Sequence, residues 1–440
     1  MTDLLERPEV ASAPGTYPVP AGRGRWRLTL HNRTYTPTPW TASILAELPE
    51  ARNRKLTLAW NKPATFSADV DGNRPAARYV AELGTELVAW RWDDTTGADV
   101  AYFRGPITAS QDAVDTQSHT LTLNATDYLA LLARRIFTTP TAAPYTADQD
   151  NCIGSITYAA GAGAASSSGT GFSPAGYLPL YPGDLGQGNT SVNPDGTARV
   201  SGSTVSRTVT YQGNTVCLTA LEDLSKLAGG FDFDVAPFEK TVAGSTNQTY
   251  DALRIFYPRQ GVTRTTPALY FPGNVTALTR QVTSADLSIY WRTLGNNQQT
   301  GQNALQVYGE AWTADAQGGQ AGAPGLWMTP DQSSDQITPT LLSAAAQGSL
   351  NIYSVLMPTY TLTLAPNSYY RGAFSMGDTL PLIVQSGRLN VNTTVRVMGL
   401  SFEPNDDGDE IVTLTVGRAP TSLVDILGAQ AADIRALSRR

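Results

Sequence analysis

The amino-acid sequence predicts a mainly β protein: two β-barrel-like modules, an inserted α+β domain between them, and a C-terminal helix. Three observations carry this expectation. Apolar and polar residues alternate in short runs such as Leu56/Leu58/Trp60 and Phe66/Ala68/Val70, the period of a half-buried strand. Glycine (39) and proline (28) are plentiful while charged residues make up only 16%, a balance that suits closely spaced turns better than long helices. One layout also occurs near both ends: "TLTLNATDYLALLARR" at 120–135 and "TLTVGRAPTSLVDIL" at 413–427 each set a strand before a polar boundary and a helical run. Two unrelated strand-to-helix junctions would look the same, so the echo supports paired modules without proving a repeat.

The elements follow in order. Residues 1–24 read as a flexible N-terminal arm rich in Pro, Ala and Gly, without periodicity. Residues 25–137 read as the first barrel module. In it Trp26/Leu28/Leu30 and Val88/Trp90/Trp92 join the runs already named, turn signals such as "DVDGN" and "DDTTGAD" separate them, and "ARYVAEL" supplies a short helix. The module's last strand leads into a covering helix. Thr126 is its expected N-cap, Asp127 suits its positive start, and Arg134 and Arg135 suit its negative end.

Residues 138–215 contain "AAGAGAASSSGTG" and few large apolar side chains, which predicts an inserted lobe or an extended loop system. Residues 216–350 read as an α+β middle domain whose strands are able to join the barrels. Leu218, Leu221, Leu224 and Leu227 repeat at helical spacing, Gly229 and Gly230 end that helix, and Phe231, Phe233 and Val235 open a strand. "LRIFYPRQG" and "ALYFPGNV" add strands, and "ITPTLLSAAAQGSL" a further helix. The second barrel module, 351–420, rests on Tyr360/Leu362/Leu364, "LPLIV", "LNV", Val395/Val397 and "IVTLTVG". The C-terminal helix, 421–440, carries Leu423, Ile426, Leu427, Ile434 and Leu437 on an apolar side that fits either its own barrel or a neighbour.

Bulk properties narrow the function. At 440 residues the chain accommodates roughly two to four domains. A net charge of -7 argues against gripping nucleic acid by its phosphates, which needs a basic surface, and fits a conduit whose wall mildly repels DNA. No apolar run approaches the roughly 20 residues of a membrane span, and the first residues lack the order of a signal peptide. Cys152 and Cys217 share no metal-ligand spacing and are expected as buried free thiols. The two histidines, His31 and His119, are expected at the surface of polar strands. Their scarcity removes His-based triads, zincin motifs and most zinc sites.

The remaining candidates for chemistry have structural explanations. Asp406, Asp407, Asp409 and Glu410 in "EPNDDGDEIV" suggest a solvated hairpin tip more than a calcium site, and Asp69, Asp71 and Asn73 are read the same way. Asp232 and Asp234 alternate with phenylalanines, so strand periodicity turns both away from the buried face. The serines at 166–168 lack a nucleophile elbow, and the nearby glycines lack the Lys-Ser/Thr of a phosphate-binding loop. Tyr177 and Tyr181 in "AGYLPLYPGDLGQGN" sit in a loop able to contact glycan or protein. No catalytic, cofactor-binding or metal-binding residue is assigned.

Taken in order, several segments resemble the tail-associated or baseplate-hub proteins of siphophage tail tips, a family also met in contractile tails and related secretion machines. "ELVAWRWDDTTGADVAYFRGPI" resembles the family's hairpin leading to a Phe-Arg/Lys-Gly turn, here Phe103, Arg104 and Gly105. "TLTLNATDYLALLARR" resembles its strand followed by an Asp-Tyr/Leu helix, with Asp127 and Tyr128. "ALEDLSKLAGGFDFDV" resembles the helix and Gly-aromatic strand of its intervening domain. "FSMGDTLPLIV", with Gly377 and Asp378, and "TTVRVMGLSFEPNDDGDEIVTLTVG" resemble the entry and closing hairpin of its second barrel. The Gly/Ser-rich segment 159–207 and the N-terminal arm depart from the pattern. No peptidase or lysozyme segment is appended, so a lytic role is not expected.

The resemblance implies a structural, non-enzymatic virion protein assembled in the host cytoplasm and placed at the phage tail tip. It implies a homotrimer that joins a hexameric tail-tube or distal-tail ring to a threefold tip. Its other implied partners are the tape measure protein and further tail-tip or fibre proteins, with genomic DNA passing unbound. Two alternatives come from other classes: a receptor module for host glycan, supported by the tyrosine-bearing loop, and a cell-wall hydrolase, which the missing motifs disfavour.

Overall fold

A computed structural model of the protein describes residues 26–32, 44–93, 97–137, 145–162, 180–181, 206–209, 211, 214–225, 230–240, 248–257, 259–282, 287–294, 307–313, 328–332, 339, 342–343, 346–347, 350, 354, 358–366, 373–404 and 409–418. The N-terminal arm, the serines at 166–168, Tyr177, Leu227, Gly229, Asp406, Asp407 and the expected C-terminal helix lie outside the described residues. The protein is mainly β. Strands β1 (Trp26–Asn32), β2 (Ile44–Glu47), β3 (Arg52–Ala59), β4 (Thr65–Asp71), β5 (Thr85–Asp93), β6 (Ala98–Val114) and β7 (His119–Thr126) precede helix α1 (Leu129–Leu132). The middle of the chain holds β8 (Tyr145–Asp148), α2 (Gln149–Ala162), β9 (Leu180–Tyr181), β10 (Ser206–Val209), α3 (Cys217–Ser225), β11 (Asp232–Lys240) and β12 (Gln248–Phe256). Then come β13 (Leu269–Phe271), β14 (Val275–Gln281), β15 (Tyr290–Leu294), β16 (Tyr308–Trp312), β17 (Met328–Gln332), β18 (Thr359–Leu364), β19 (Thr379–Ser386), β20 (Leu389–Pro404) and β21 (Glu410–Arg418).

Thirteen strands form one hydrogen-bonded sheet, in the order β14-β18-β21-β20-β3-β4-β7-β6-β5-β1-β2, with β19 also on β20 and β13 on β19. Two halves of this sheet share one strand order. β3-β4-β7-β6-β5-β1 corresponds to β14-β18-β21-β20-β19-β13, although β1 runs antiparallel to β5 and β13 parallel to β19.

The long strands β6 and β20 have the same anatomy. β6 pairs with β5 over Ala98–Pro106 and with β7 from Ile107 on, with a bulge between Ile107 and Ala109. β20 pairs with β19 up to Arg396 and with β21 from Val395 on, with a bulge between Val397 and Gly399. The chain entering each module repeats as well. Leu83 N–H donates to Ile107 O at 2.7 Å and Gly377 N–H to Val397 O at 2.9 Å, both donors in the left-handed region (φ 58 and 82).

The modules join edge to edge. β20 leaves one edge unoccupied beyond β19, and β3 pairs there, with Leu56 opposite Phe402, Thr57 opposite Ser401, Leu58 opposite Leu400 and Ala59 opposite Gly399. Their inward faces form one continuous core, in which Trp26 lies 6.4 Å from Phe66 and 5.9 Å from Phe402, centroid to centroid. A ladder hydrogen bond nets about 1 kcal/mol and full burial of a Leu or Phe side chain about 1.5–3 kcal/mol, so packing rather than the short ladder fuses the modules. A second core holds α1, α2, α3, β11 and β12 together through Leu129, Ile153, Ile156, Leu221, Phe233 and Ile255.

Several expectations need correction. "ARYVAEL" contributes no α-helix: a 3-10 turn spans Pro75–Tyr79, Val80 is extended, and Leu83 is drawn into the sheet by its bond to Ile107. Phe103, Arg104 and Gly105 form no turn but lie inside β6, where the strand leaves β5 for β7. Thr126 does not cap α1. Its N-cap is Tyr128, without a side-chain cap, and Asp127 before it accepts from Leu129 N–H at 3.0 Å and, through its other oxygen, from Ala64 N–H at 2.8 Å. Residues 145–162, expected in a lobe or loops, form β8 and α2, and Cys152, Ile153, Ile156 and Ala160 are buried in the middle-domain core. That helix hid because its few apolar residues stand among Gly, Ser and Thr. Cys152 and Cys217 are free and buried.

Gly105 is demanded by the crossing of β6 over the end of β7: a Cβ there would stand 1.8 Å from Thr126 O. Gly105→Ala is therefore expected to lower unfolding stability by about 2–3 kcal/mol, read from denaturant midpoints. Gly97→Ala, where nothing lies within 4 Å of the added Cβ although φ is +65, is expected to cost about 1 kcal/mol.

Candidate functional site

Buried charge gathers where the two modules and the middle domain meet. Arg91 on β5 reaches Glu410 at the start of β21, Nε donating to Oε1 at 3.1 Å and Nη2 to Oε2 at 2.6 Å, while Trp26 Nε1 donates to the same Oε1 at 2.7 Å. The guanidinium is boxed by rings, its Cζ lying 5.8 Å from Trp26, 5.6 Å from Tyr102 and 5.1 Å from Phe402. Trp26 and Tyr102 belong to the first module, Phe402 and Glu410 to the second. This pair is a rivet between them.

A second cluster fixes the first module to the middle domain. Arg104 on β6 donates to Glu86 Oε2 from Nε (3.0 Å) and Nη2 (2.9 Å), and Nη1 donates to Asp251 Oδ2 on β12 at 2.7 Å. Tyr128 donates its hydroxyl to Glu86 and lies under the guanidinium, 5.4 Å from ring centroid to Cζ. Burial works against the charge of Arg104, yet Asp251 and Glu86 outweigh it and hold its pKa above the ordinary value. Burial pushes Asp251 up to about 7 against the pull of Arg104, and pushes Asp127 up to about 8 despite its two backbone donors.

A third cluster fixes the second module. Arg396 on β20 donates to Asp232 on β11, to Gln260 O (3.1 Å) and to Gly377 O (3.1 Å), with Trp60 5.3 Å from its Cζ. Asp378 beside it accepts from Val262 N–H (2.7 Å), Ser375 N–H (2.9 Å) and Arg264 Nε (2.5 Å). Gly377 and Gly261, both at positive φ, meet here so closely that neither has room for a Cβ. Between the three parts lies a cleft of about 350 Å³ lined in part by Asn61, Lys62, Tyr102, Asp234, Arg254 and Gln260. Its charges answer one another: Lys62 pairs with Glu222 at 2.7 Å and Arg254 with Asp234 at 2.6 Å. The arrangement holds three bodies in place. Among the described residues no group of three or more His, Cys, Asp or Glu is placed to hold a metal ion, and no helix is long and apolar enough to cross a membrane.

Three residues expected at the surface are buried. Glu410, assigned to a solvated tip, is 1% exposed, because the tip ends one residue earlier and β21 begins with it. Asp232 does point away from Phe231 and Phe233, but Arg396 and Gln260 cover that second face. His31 is buried with Nε2 2.7 Å from Thr29 Oγ1. Burial first, then Arg104 and Arg27, push its pKa down to about 3. His119 is only partly covered and pairs with Asp112 at 2.6 Å. Asp71 turns onto Asn73 N–H, as the turn reading expects, whereas Asp69 lies inside β4 and binds Thr122 of β7 and Asn53 of β3 across the sheet. No periodicity marks Arg91, Arg104 or Arg396. Their one legible signal is a long cation at a strand position otherwise given to apolar residues.

Glu410→Gln leaves the Arg91 charge buried without a counter-charge and is expected to cost about 3–5 kcal/mol, while Arg91→Met with Glu410→Leu recovers most of that loss in equilibrium unfolding. The titrating groups predict a pH profile. His31 is held below its ordinary 6.5, so stability present above pH 6.5 is lost as pH falls toward 3, and His31→Gln removes that acid limb. Asp127 is held above its ordinary 3.8, so stability present below that value is lost progressively as pH rises to about 8; Asp127→Asn flattens the profile between about pH 4 and 8. Thermal midpoints across this range check both.

No protein-family model and no curated protein matches the chain. Among solved structures it is similar to the 43 kDa tail protein of prophage MuSo2 from Shewanella oneidensis, at 11% identity and a TM-score of 0.51, covering 90% of this chain and 98% of that one. It is also similar to a tail protein from Neisseria meningitidis (10% identity, TM-score 0.49, covering 92% and 99%) and to prophage tail protein gp18 from Listeria monocytogenes (12%, 0.45, covering 93% and 99%). The chain thus shares its fold with the Shewanella prophage tail protein over nearly the whole of both molecules.

Proposed function

We propose that the protein is a structural component of a phage tail, and more narrowly the trimeric hub that joins a sixfold tail ring to a threefold tip. One observation carries the reading: a single chain holds two strand arrangements of the same order, already joined edge to edge through β3 and β20. Three such chains offer six related units around one axis, which is what docking onto a hexameric ring requires. A rigid joint between the two units is equally needed, since a hinge would spoil the sixfold spacing; the buried Arg91 cluster supplies it directly, and the Arg104 and Arg396 clusters brace each unit against the middle domain. The fold shared with a prophage tail protein supports the tail assignment.

The reading extends to a location at the tail tip, to contacts with the distal tail or tube ring, the tape measure protein and fibre proteins, and to a channel through which DNA passes unbound. The formal charge of -7 suits such a channel wall. It assigns no catalytic role.

Light scattering on the purified protein is expected to give three times the 46.9 kDa chain mass, and antibody labelling of virions in negative stain is expected to mark the tail end. A protein that stays monomeric at high concentration and is absent from virions would defeat the proposal.

A further inference from the structure

The joint inside one chain predicts the joint between chains. In the second module the edge of β20 beyond its bulge, Gly399–Phe402, is occupied by β3. The corresponding edge in the first module is that of β6 beyond Ile107, where β7 covers one side and β5 has already ended. Among the described residues no strand pairs with that second side, although Glu82 next to it accepts from Ser110 Oγ, and Thr108, Ala109 and Gln111 to Val114 are exposed, Val114 at 68%. The counterpart of β3 is β14. Among the described residues it pairs with β18 on one side only, and Thr279, Arg280 and Gln281 are exposed. Among the described residues each chain therefore carries a vacant acceptor edge and a vacant donor strand. A row of unpaired backbone groups is a template for another strand, and natural proteins seldom leave one uncovered.

The register follows from the ladders. Leu56 faces Phe66, which faces Ala125, which faces Ile107; Arg280 faces Tyr360, which faces Val416, which faces Val397. Arg280 thus occupies the place of Leu56. Phe402 stands five residues after Val397 and faces Val412, as Asp112 stands five after Ile107 and faces Leu121. Asp112 thus occupies the place of Phe402. We infer that β14 of one chain adds antiparallel to the β6 edge of the next, Arg280 opposite Asp112, Gln281 opposite Gln111 and Val282 opposite Ser110, closing a ring of three.

The side chains agree with this register. Where the internal joint sets Leu56 against Phe402, the external one sets a cation against a carboxylate. Among the described residues Arg280 pairs with no carboxylate, and Asp112 is held at one oxygen by His119. Opposed charges on neighbouring strands favour pairing, and like charges oppose it. A slip of one residue would turn Arg280 and Asp112 to opposite faces.

This inference rests on the trimeric reading, and the test separates the two. In the full-length chain, Arg280→Asp and Asp112→Arg each place like charges at all three joints of the ring. Each is expected to weaken assembly by about tenfold or more in concentration at the midpoint, and the double variant to return to within about threefold of the parent. Arg280→Cys with Asp112→Cys in one chain is expected to give, on mild oxidation, a covalent trimer on a non-reducing gel, whereas Arg280→Cys with Ala113→Cys, one residue out of register, gives none. A trimer by light scattering that ignores the charge variants and forms no cross-link overturns the edge pairing while leaving the trimer intact. Cross-linked ladders that run past three copies overturn ring closure. A monomer without cross-links at any concentration removes the trimeric reading, and this inference with it.

Discussion

The architecture depends on a strand longer than its neighbours. β6 and β20 each outrun the partner on one side, pairing with β5 or β19 for the first half and with β7 or β21 for the second. Such a strand cannot have both edges satisfied within its own module. In β20 the surplus edge is taken by β3, and that pairing converts two sheets into one continuous body. The bulges at Ile107/Ala109 and Val397/Gly399 fall at the change of partner, where one extra residue bends the strand and re-aims the half beyond it. Gly105 serves the same passage by letting β6 touch the backbone of Thr126.

Charge buried at the joints adds a different quality. A buried ion pair earns little net stability, because desolvating both partners consumes most of their attraction, but it makes any other arrangement expensive. Arg91 loses Glu410 and Phe402 if the second module shifts; Arg104 loses Asp251 if the middle domain does; Arg396 loses Asp232 and Gln260 O if the second module and the middle domain move apart. Apolar contacts between the same bodies tolerate sliding, whereas bidentate geometry does not. Stiffness of this kind is what a part needs if it must present two units at a fixed angle to a ring.

Legibility from sequence followed the range of each interaction. Period-two runs depend on neighbours two residues away, so β4, β7, β18 and β21 were visible in "FSADV", "TLTLN", "YTLTL" and "IVTLTV". The helix with Leu218, Leu221 and Leu224 was equally plain. What depended on residues hundreds of positions apart was not. Glu410 read as part of a wet turn because Trp26 and Arg91, 384 and 319 residues away, are invisible from its neighbourhood. Asp232 and His31 were misplaced for the same reason: alternation tells which face a residue occupies, not whether something covers that face. The shared order of the two modules lay beyond the short echo at 120–135 and 413–427, since equivalent strands carry unlike side chains, Leu56 for Arg280 and Phe402 for Asp112.

That dissimilarity is itself informative about assembly. Within one chain the partners of β3 and β20 are always present, so an apolar pair can be committed to the joint without exposing it. An edge that must wait for another molecule is different: a leucine and a phenylalanine there would stand bare on every unassembled copy and invite indiscriminate pairing. Charged residues at the same positions keep the waiting edges hydrated, and an arginine on one with an aspartate on the other distinguishes the correct partner from a second identical edge. In the inferred assembly one geometry therefore serves two joints, and the choice of side chain follows from whether the joint closes during folding or after it.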